Sequence, residues 1–425
     1  MDGTLLRKWD YKVGLSAAGD KATTTLQGGY FFTTPFNAIL SSGQLNPWLL
    51  SGQTQSASVL SALAASSASG TQLAGGKTTL VQLDGRVSGE ILPLAGGALA
   101  FAAGFDYRRE TYVFGSDSAA QPAIADAPFD SNFSKVTRKV FAQYGELSVP
   151  LIKGLDTQVA VRHDHYTDFG DTTNPKVGAA YRPIEQVMVR ATYGEGFHAP
   201  SFVQLYSATT EGPVPGNIAD PVQCPLHPGD PVYCSQRPNA RTGGNPTLKP
   251  ETSKQWTVGL VLEPLQWFSA SLDLWQIKRT DRVYSLTPQQ VVANYTTFPD
   301  SIVRNPDNTI NYIRAGFVNA DGEITRGIDV GLRFRGAFGP GKWIANLDGT
   351  YIDSYRTRIF ITDPYTELAG QWDDINVHPR WKHTLNINYT MGPWSGTLTQ
   401  RYTSHYKDLV PPGTVPPGLD RKSVV

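Results

Sequence analysis

The sequence is short of several things at once. Its 425 residues include 2 cysteines and 3 methionines, and neither charge is in excess: 37 Lys and Arg stand against 37 Asp and Glu. Balanced charge gives no net field toward nucleic acid, so no nucleic-acid partner is expected. No apolar run nears the ~18 residues of a membrane-spanning helix. The nearest, "ASVLSALAASSAS" at 57–69, is short and rich in Ser. The start, "MDGTLLRKWDYK", has no apolar signal-peptide core and reads like the middle of a strand. The end, "LDRKSVV", closes no pattern, so both ends are expected to be cut. Helical periodicity is nearly absent, with at most a turn or two near Ser58–Ala65.

Signatures of chemistry are missing as well. There is no G-x-S-x-G and no H-E-x-x-H. In "YGEGFHAPSFVQLY", Glu195 and His198 flank Gly196, but no orienting group or nucleophile accompanies them. The "GEG" also lacks the following helix of a phosphate loop. On a strand, His163 and His165 share a face while Asp164 points away. A strand end near the surface explains them better than a metal site. Asn and Asp clusters at 305–311 and 319–324 suit turns better than calcium. The sequons at Asn132, Asn294 and Asn388 mean little if the source is bacterial. No enzyme activity and no cofactor are expected.

The two cysteines, Cys224 and Cys234, lie in "DPVQCPLHPGDPVYCSQ". A Pro- and Gly-rich loop with two cysteines reads as a local disulfide in an oxidising space, stabilising by roughly 2–3 kcal/mol. Two free thiols are the alternative. Zinc is not favoured, because Cys-x9-Cys with His227 between is not a usual zinc spacing.

What the sequence does have is period two. In "KWIANLDGTY", Trp343, Ala345, Leu347, Gly349 and Tyr351 share one face; Asn346, Asp348 and Thr350 share the other. "RGIDVGLRFR", "KHTLNINY", "FSASLDL" and "LAFAAGFDYR" alternate likewise. Repeated alternation over eight to ten residues means antiparallel strands with one apolar face. Fourteen are expected: 6–16, 22–31, 77–91, 97–110, 137–149, 155–167, 174–182, 187–197, 252–262, 267–279, 324–336, 342–353, 379–391 and 395–404.

The connections sort by length. From the third strand onward short turns alternate with long loops (32–76, 111–136, 198–251, 280–323, 354–378), with 168–173 the one short member of the long set. An up-and-down sheet then has all its short turns at one end. Outer-membrane barrels are built this way, whereas a soluble sandwich has no reason to be. About ten residues at ~3.3 Å, tilted ~45°, span roughly 23 Å, close to the ~25 Å apolar band of such barrels. Aromatics gather at both strand ends: Tyr181, Trp267, Trp343, Tyr389 and Trp394 near short turns; Tyr107, Tyr166, Tyr193, Trp275, Tyr351, Trp381 and Tyr402 near long loops. Inward polar residues, among them Asp329, Arg333, Asn346, Asp348, Asn386 and Asn388, then line a wet lumen. The fold class is all-β, an antiparallel up-and-down transmembrane β-barrel.

Two segments carry a family resemblance. "RATYGEGFHAPSFVQLY" and then "GGNPTLKPETSKQWTVGLVLEP" resemble the TonB-dependent outer-membrane receptors. Arg190, Gly194, Gly196, Phe197, Ala199 and Pro200 match the family's Arg-x-x-x-Gly-x-Gly-Phe-x-Ala-Pro. Asn245, Pro246, Leu248, Pro250 and Glu251 match its Asn-Pro-x-Leu-x-Pro-Glu. "YGELSVPL" and the stretches 161–183 and 323–334 also look like the family. The resemblance covers about 77–404. It implies a 22-stranded barrel, of which 1–425 would be an incomplete part, with an N-terminal plug that is not visible here. It implies outer-membrane lipid and the TonB energy-transducing complex as partners, the latter through the plug region. The implied function is energy-coupled uptake of a scarce ligand such as a ferric siderophore, or of cobalamin or oligosaccharides. A passive porin-like channel and a soluble β-rich domain are the rivals. Ligand contacts are expected from the long loops, at Arg237 and Arg241 beside the disulfide and at Tyr295, Arg304, Tyr312 and Arg314. Arg and aromatic side chains suit anionic, aromatic iron chelates or sugar rings. Gly194 and Gly196 are expected to bend the strand end, and Pro200 to stop its ladder.

Overall fold

A computed structural model describes residues 1–5, 9–116, 134–207, 209–372 and 376–408. The sequon at Asn132 and the terminal "LDRKSVV" lie outside them. No helix among these residues is long and apolar enough to cross a membrane.

One antiparallel sheet dominates. Its strands follow chain order: β1 (Asp2–Leu5), β2 (Trp9–Thr25), β3 (Gln72–Leu94), β4 (Gly97–Ser116), β5 (Ser134–Ile152), β6 (Leu155–Tyr166), β7 (Gly170–Ile184), β8 (Val187–His198), β9 (Glu251–Leu265), β10 (Phe268–Ser285), β11 (Phe317–Phe338), β12 (Gly341–Arg358), β13 (Trp381–Met391) and β14 (Trp394–Thr403). Each pairs with its chain neighbours, and β1 does not pair with β14 among the described residues. Fourteen strands are present, but the first two differ from expectation. The stretches 6–16 and 22–31 do not form a hairpin. Trp9–Thr25 is one continuous strand, paired along its length with β3 from Trp9↔Gly89 to Thr25↔Gln72. Residues 17–25 are small or polar, so alternation is weak there, and the neighbouring strand holds them extended instead.

Six connections are two residues long, at 95–96, 153–154, 185–186, 266–267, 339–340 and 392–393. In the 153–154 turn Gly154 has φ +82°, a conformation glycine takes without strain. From β2 onward the other connections are long, except the tight 167–169. The alternation of short and long therefore holds, and it reaches back to the 26–71 connection. That connection carries α1 (Thr33–Ser41), which periodicity did not reveal, and α2 (Ala57–Ser66), whose Val59 amide donates to the capping Ser56 hydroxyl. Several strands exceed ten residues: β3 has 23 and β11 has 22. At ~3.3 Å per residue these run well past a ~25 Å apolar band, and the excess lies at the long-loop end.

Cross-strand register sorts the faces. Trp9, Gly89, Phe101, Leu147, Val159, Val177, Tyr193 and Trp256 are directly opposed in one continuous row across eight strands. Trp9 and Phe101 meet edge to face over Gly89 at 5.2 Å. Val81, Leu83, Leu147, Val159, Val189, Leu272 and Leu398 are exposed on this outward face, as a lipid-facing wall requires. The opposite face carries Asp329, Arg333, Asn346, Asp348, Asn386 and Asn388 at the alternate registers. Trp267 and Trp394 are exposed beside short turns. Tyr166 and Trp275 leave the expected outer belt: both fall on inward registers, Tyr166 is 6% exposed, and Trp275 lies over Gly327.

Candidate functional site

The long connections fold into something more than loops. Residues 199–250 and 286–316 build one small unit above the wall between β8 and β11. Its sheet runs Ile302–Arg304, Ile310–Arg314, Asn239–Thr242, Thr210–Pro213. The middle pair, one strand from each connection, is parallel, with Ala240 opposite Ile313. Val214 and Ile218 from the first connection pack with Leu286, Val291, Val292, Ile302, Ile310 and Ile313 from the second. Ile359 and Phe360 of a third connection pack against them. A short helix, Pro288–Ala293, is nucleated by Pro at its first turn and a Thr287/Gln290 capping box.

Cys224 and Cys234 are disulfide-bonded, with Cα atoms 4.8 Å apart. Nearby, Asp220 is fully buried. Its Oδ1 accepts from the Val222 and Gln223 amides at 2.9 and 3.0 Å and from Arg304 Nη2 at 2.9 Å. Burial pushes this carboxyl up, but the Arg304 hydrogen bond and the two amides outweigh it and hold it below the usual range. Arg304, expected to reach ligand, instead ties the two connections together. Tyr295, also expected to touch ligand, packs against the small unit's core. Arg237 is exposed and stands apart from the cavity described next.

The other three candidates converge. Arg241 lies 3.8 Å over the Tyr312 ring, and Arg314 lies 5.8 Å from the same ring. Arg241 Nε also donates to Glu211 Oε2 at 2.7 Å. The Tyr312 hydroxyl accepts from Arg314 Nη2 at 3.3 Å, and the two guanidiniums favour its ionised form, lowering its pKa. All three line a cavity of about 460 Å³ with Thr209, Asn245, Leu286, Phe298 and Phe317. It is an open, half-apolar recess with two cations and a phenol at one side. That chemistry fits an anionic ligand with a flat or ring-bearing surface.

The motif residues lie partly within the wall and partly at the base of this unit. Arg190 Nε and Nη2 donate to the two oxygens of Asp273 at 2.9 and 2.6 Å, across the intervening β9. Gly259 lies opposite both, and a Cβ there would stand 2.0 Å from Asp273 Oδ1. Only a missing side chain lets the pair bridge the strand between them. Asn245 Nδ2 donates to Phe317 O at 2.9 Å, and Glu251 Oε1 accepts from the Val283 amide at 2.8 Å. Pro246 sits in the turn that Asn245 caps, and Leu248 is buried beneath it. The Asn-Pro-x-Leu-x-Pro-Glu segment, with Pro250 leading into β9, thus laces one connection to the base of the next.

Gly194 and Gly196 introduce no break in register. Both are regular ladder positions, opposite Gln255 and Ser253. The ladder ends at His198, opposite Glu251, two residues before Pro200. Pro200 is fully buried, and its carbonyl accepts from Arg138 Nη2 at 2.8 Å. Phe197 meets Tyr166 edge to face at 5.7 Å, and Ala199 connects it to that buried corner. Arg138, 5% exposed, also pairs with Asp168 at 2.6 Å and lies 4.7 Å from the Phe202 ring. Glu323 is a second such centre, accepting from Arg279 and from the Tyr355 hydroxyl at 2.7 Å. Neither was singled out in the sequence. Their one signal is a charged residue at an inward register of an alternating strand.

Glu195 and His198 are not partners. Glu195 accepts from the Tyr193 hydroxyl at 2.6 Å and pairs with Lys254 at 3.1 Å, while His198 lies 3.8 Å from Glu251. His165 is held by Asp171 at 2.7 Å, and His163 by Thr173 at 2.9 Å.

Comparison with known proteins agrees with this geometry. The family "TonB dependent receptor-like, beta-barrel" matches residues 2–420. A relative, the vitamin B12 transporter BtuB of Vibrio vulnificus (strain YJ016), is 27% identical over 164 residues, 38% of this chain and 19% of its own. Among solved structures, the siderophore receptor PirA of Acinetobacter baumannii superposes with a TM-score of 0.57 at 14% identity, over 95% of this chain and 50% of that one. A variant of the ferric enterobactin receptor PfeA of Pseudomonas aeruginosa, in complex with enterobactin, gives 0.51 at 14% identity, over 95% and 65%. The chain spans about half the length of PirA, and its match to BtuB covers about a fifth of that protein. By its sheet, its sorted faces and this match across nearly its whole length, the chain belongs to the TonB-dependent receptor β-barrel family.

Proposed function

We propose that this chain is the barrel portion of an outer-membrane receptor that takes up a scarce iron chelate, a ferric siderophore, by energy-coupled transport. The family is one of outer-membrane barrels, and the apolar outward face of the sheet suits that setting. The observation that carries the ligand class is the recess where Arg241 and Arg314 flank Tyr312. Iron chelates of this kind present anionic, often aromatic, oxygen donors, which two guanidiniums and a phenol would engage. The fourteen strands would be part of a wider barrel, 22 strands in this family. Coupling to the TonB complex would run through the plug region that family members carry. The motif residues would serve architecture, Arg190 within the wall and Asn245, Pro200 and Glu251 at the base of the recess.

Cobalamin is a second reading, favoured by the stretch of similarity to BtuB. One experiment separates the two. A strain lacking the gene is tested for uptake of radiolabelled ferric siderophores and of labelled cobalamin, with and without the energy-coupling complex. The expected result is loss of iron-chelate uptake only, and an Arg241→Ala, Tyr312→Ala variant should lower affinity by on the order of tenfold or more. Loss of cobalamin uptake alone would replace the siderophore reading. Uptake that persists without energy coupling would point to a passive channel.

A further inference from the structure

The outward face of β2–β5 segregates its charges. Lys21 lies directly opposite Lys77, which continues through Val113 to Lys135 in one row. Four residues nearer the membrane band, Arg109 lies directly opposite Lys139. All five cations are exposed, and no ion pair among the described residues uses them. Between the two tiers run the hydroxyls of Thr79, Thr111 and Thr137, also in register. Every Asp and Glu of these strands sits at the alternate, inward positions, with Asp20, Asp84, Asp106 and Glu110 the nearest.

Like charges directly opposed on a sheet repel, and this face holds two such pairs. Further round the wall Glu195 stands opposite Lys254 at 3.1 Å, with Lys278 on the other side of Lys254, so that row mixes both signs, whereas the β2–β5 face carries cations alone. The height of the patch identifies its partner. Immediately below it lie Leu15, Leu83, Tyr107 and Phe141, one apolar row of the lipid-facing band. The patch lies toward the long-loop end. With strands ~4.8 Å apart, the upper tier spans roughly 15 Å, and the tiers are about 13 Å apart along the strand. Two tiers of cations with hydroxyl donors between them match the phosphates of lipid headgroups, whose acyl chains would lie on the apolar rows beneath.

We propose that this face is a binding site for phosphorylated, anionic lipid of the surrounding membrane leaflet. It rests on the outer-membrane setting and not on the identity of the transported ligand. The bound headgroups neutralise the opposed cations and fix the depth and rotation of this side of the barrel.

Native mass spectrometry of the complete gene product in detergent tests it, with cardiolipin as a two-phosphate probe and phosphatidylcholine as the zwitterionic control. Cardiolipin should bind in preference to phosphatidylcholine. R109Q/K139Q should weaken it by about 25-fold, and adding K21Q, K77Q and K135Q by more, at about fivefold for each cation removed. Phosphatidylcholine binding should not change, and millimolar inorganic phosphate should not compete. Cardiolipin binding that survives all five substitutions would overturn the proposal. So would an equal loss in K153Q/K342Q, which removes two cations at the short turns, since that would mean a diffuse charge effect. Displacement by inorganic phosphate would mean an anion site rather than a lipid site. If the fivefold variant fails to fold, R109Q/K139Q decides the question, with heat-modifiable gel mobility as its check of folding.

Discussion

Asp220 is the residue on which the small external unit turns. Its carboxyl is held low because Arg304 and two amides outweigh the cost of burial. In the unfolded chain an Asp titrates near ~3.9. A depressed folded value means that the stabilisation is fully present above the unfolded value and disappears as pH falls through the folded one. Protease resistance of 207–250 should therefore hold from pH 7 down to about 5 and decline below about 4. Asp220→Asn should weaken the unit at neutral pH and flatten that acid step; an unchanged acid step would show that another carboxylate controls it. Arg190 offers a cleaner geometric test. Gly259→Ala puts a methyl where Asp273 Oδ1 stands, so it should destabilise more than Arg190→Lys, which forfeits only the two-pronged contact, on the order of 1 kcal/mol. The midpoint of heat-induced gel-mobility change in detergent measures both, and the opposite order would refute the bridge across β9. Cys224 and Cys234 could be paired from sequence because their partner is ten positions away. Arg304 could not be placed, because its partner Asp220 is 84 positions away in another connection.

At the scale of elements, the strands of the wall were readable because lipid on one side and water on the other impose period two. β6, β9 and β13 fall within three residues of expectation for that reason, while β10 and β11 run six and seven residues further at the long-loop end. β2 was misread because both faces of residues 17–25 are small or polar, and neither solvent marks a phase. The external strands at 210–213, 239–242, 302–304 and 310–314 were missed for a different reason. Each is three to five residues long, too short to show a period, and each is held by partners remote in sequence. The recess formed by Arg241, Tyr312 and Arg314 was therefore legible as a set of residue types but not as a place. Tyr295 and Arg304, of the same types, went into the unit's framework instead.

For the whole molecule, the sorted connections define two sides. Tags inserted within 207–250 should be reached by antibody on intact cells, and tags at Gly339–Pro340 should be reached only after the outer membrane is opened. The reverse pattern would invert the orientation. Inside this frame the contacts divide by sequence distance. Twelve of the fourteen wall strands are joined in pairs by two-residue turns, so six hairpins can form locally and early. The external unit closes only when Asn239–Thr242 finds Ile310–Arg314, with β9 and β10 and their turn lying between them. Its parallel pairing closes a far longer loop than that hairpin does. Loop-closure entropy therefore favours the local hairpins forming first, and a chain stalled midway is expected to present wall strands with no recess above them.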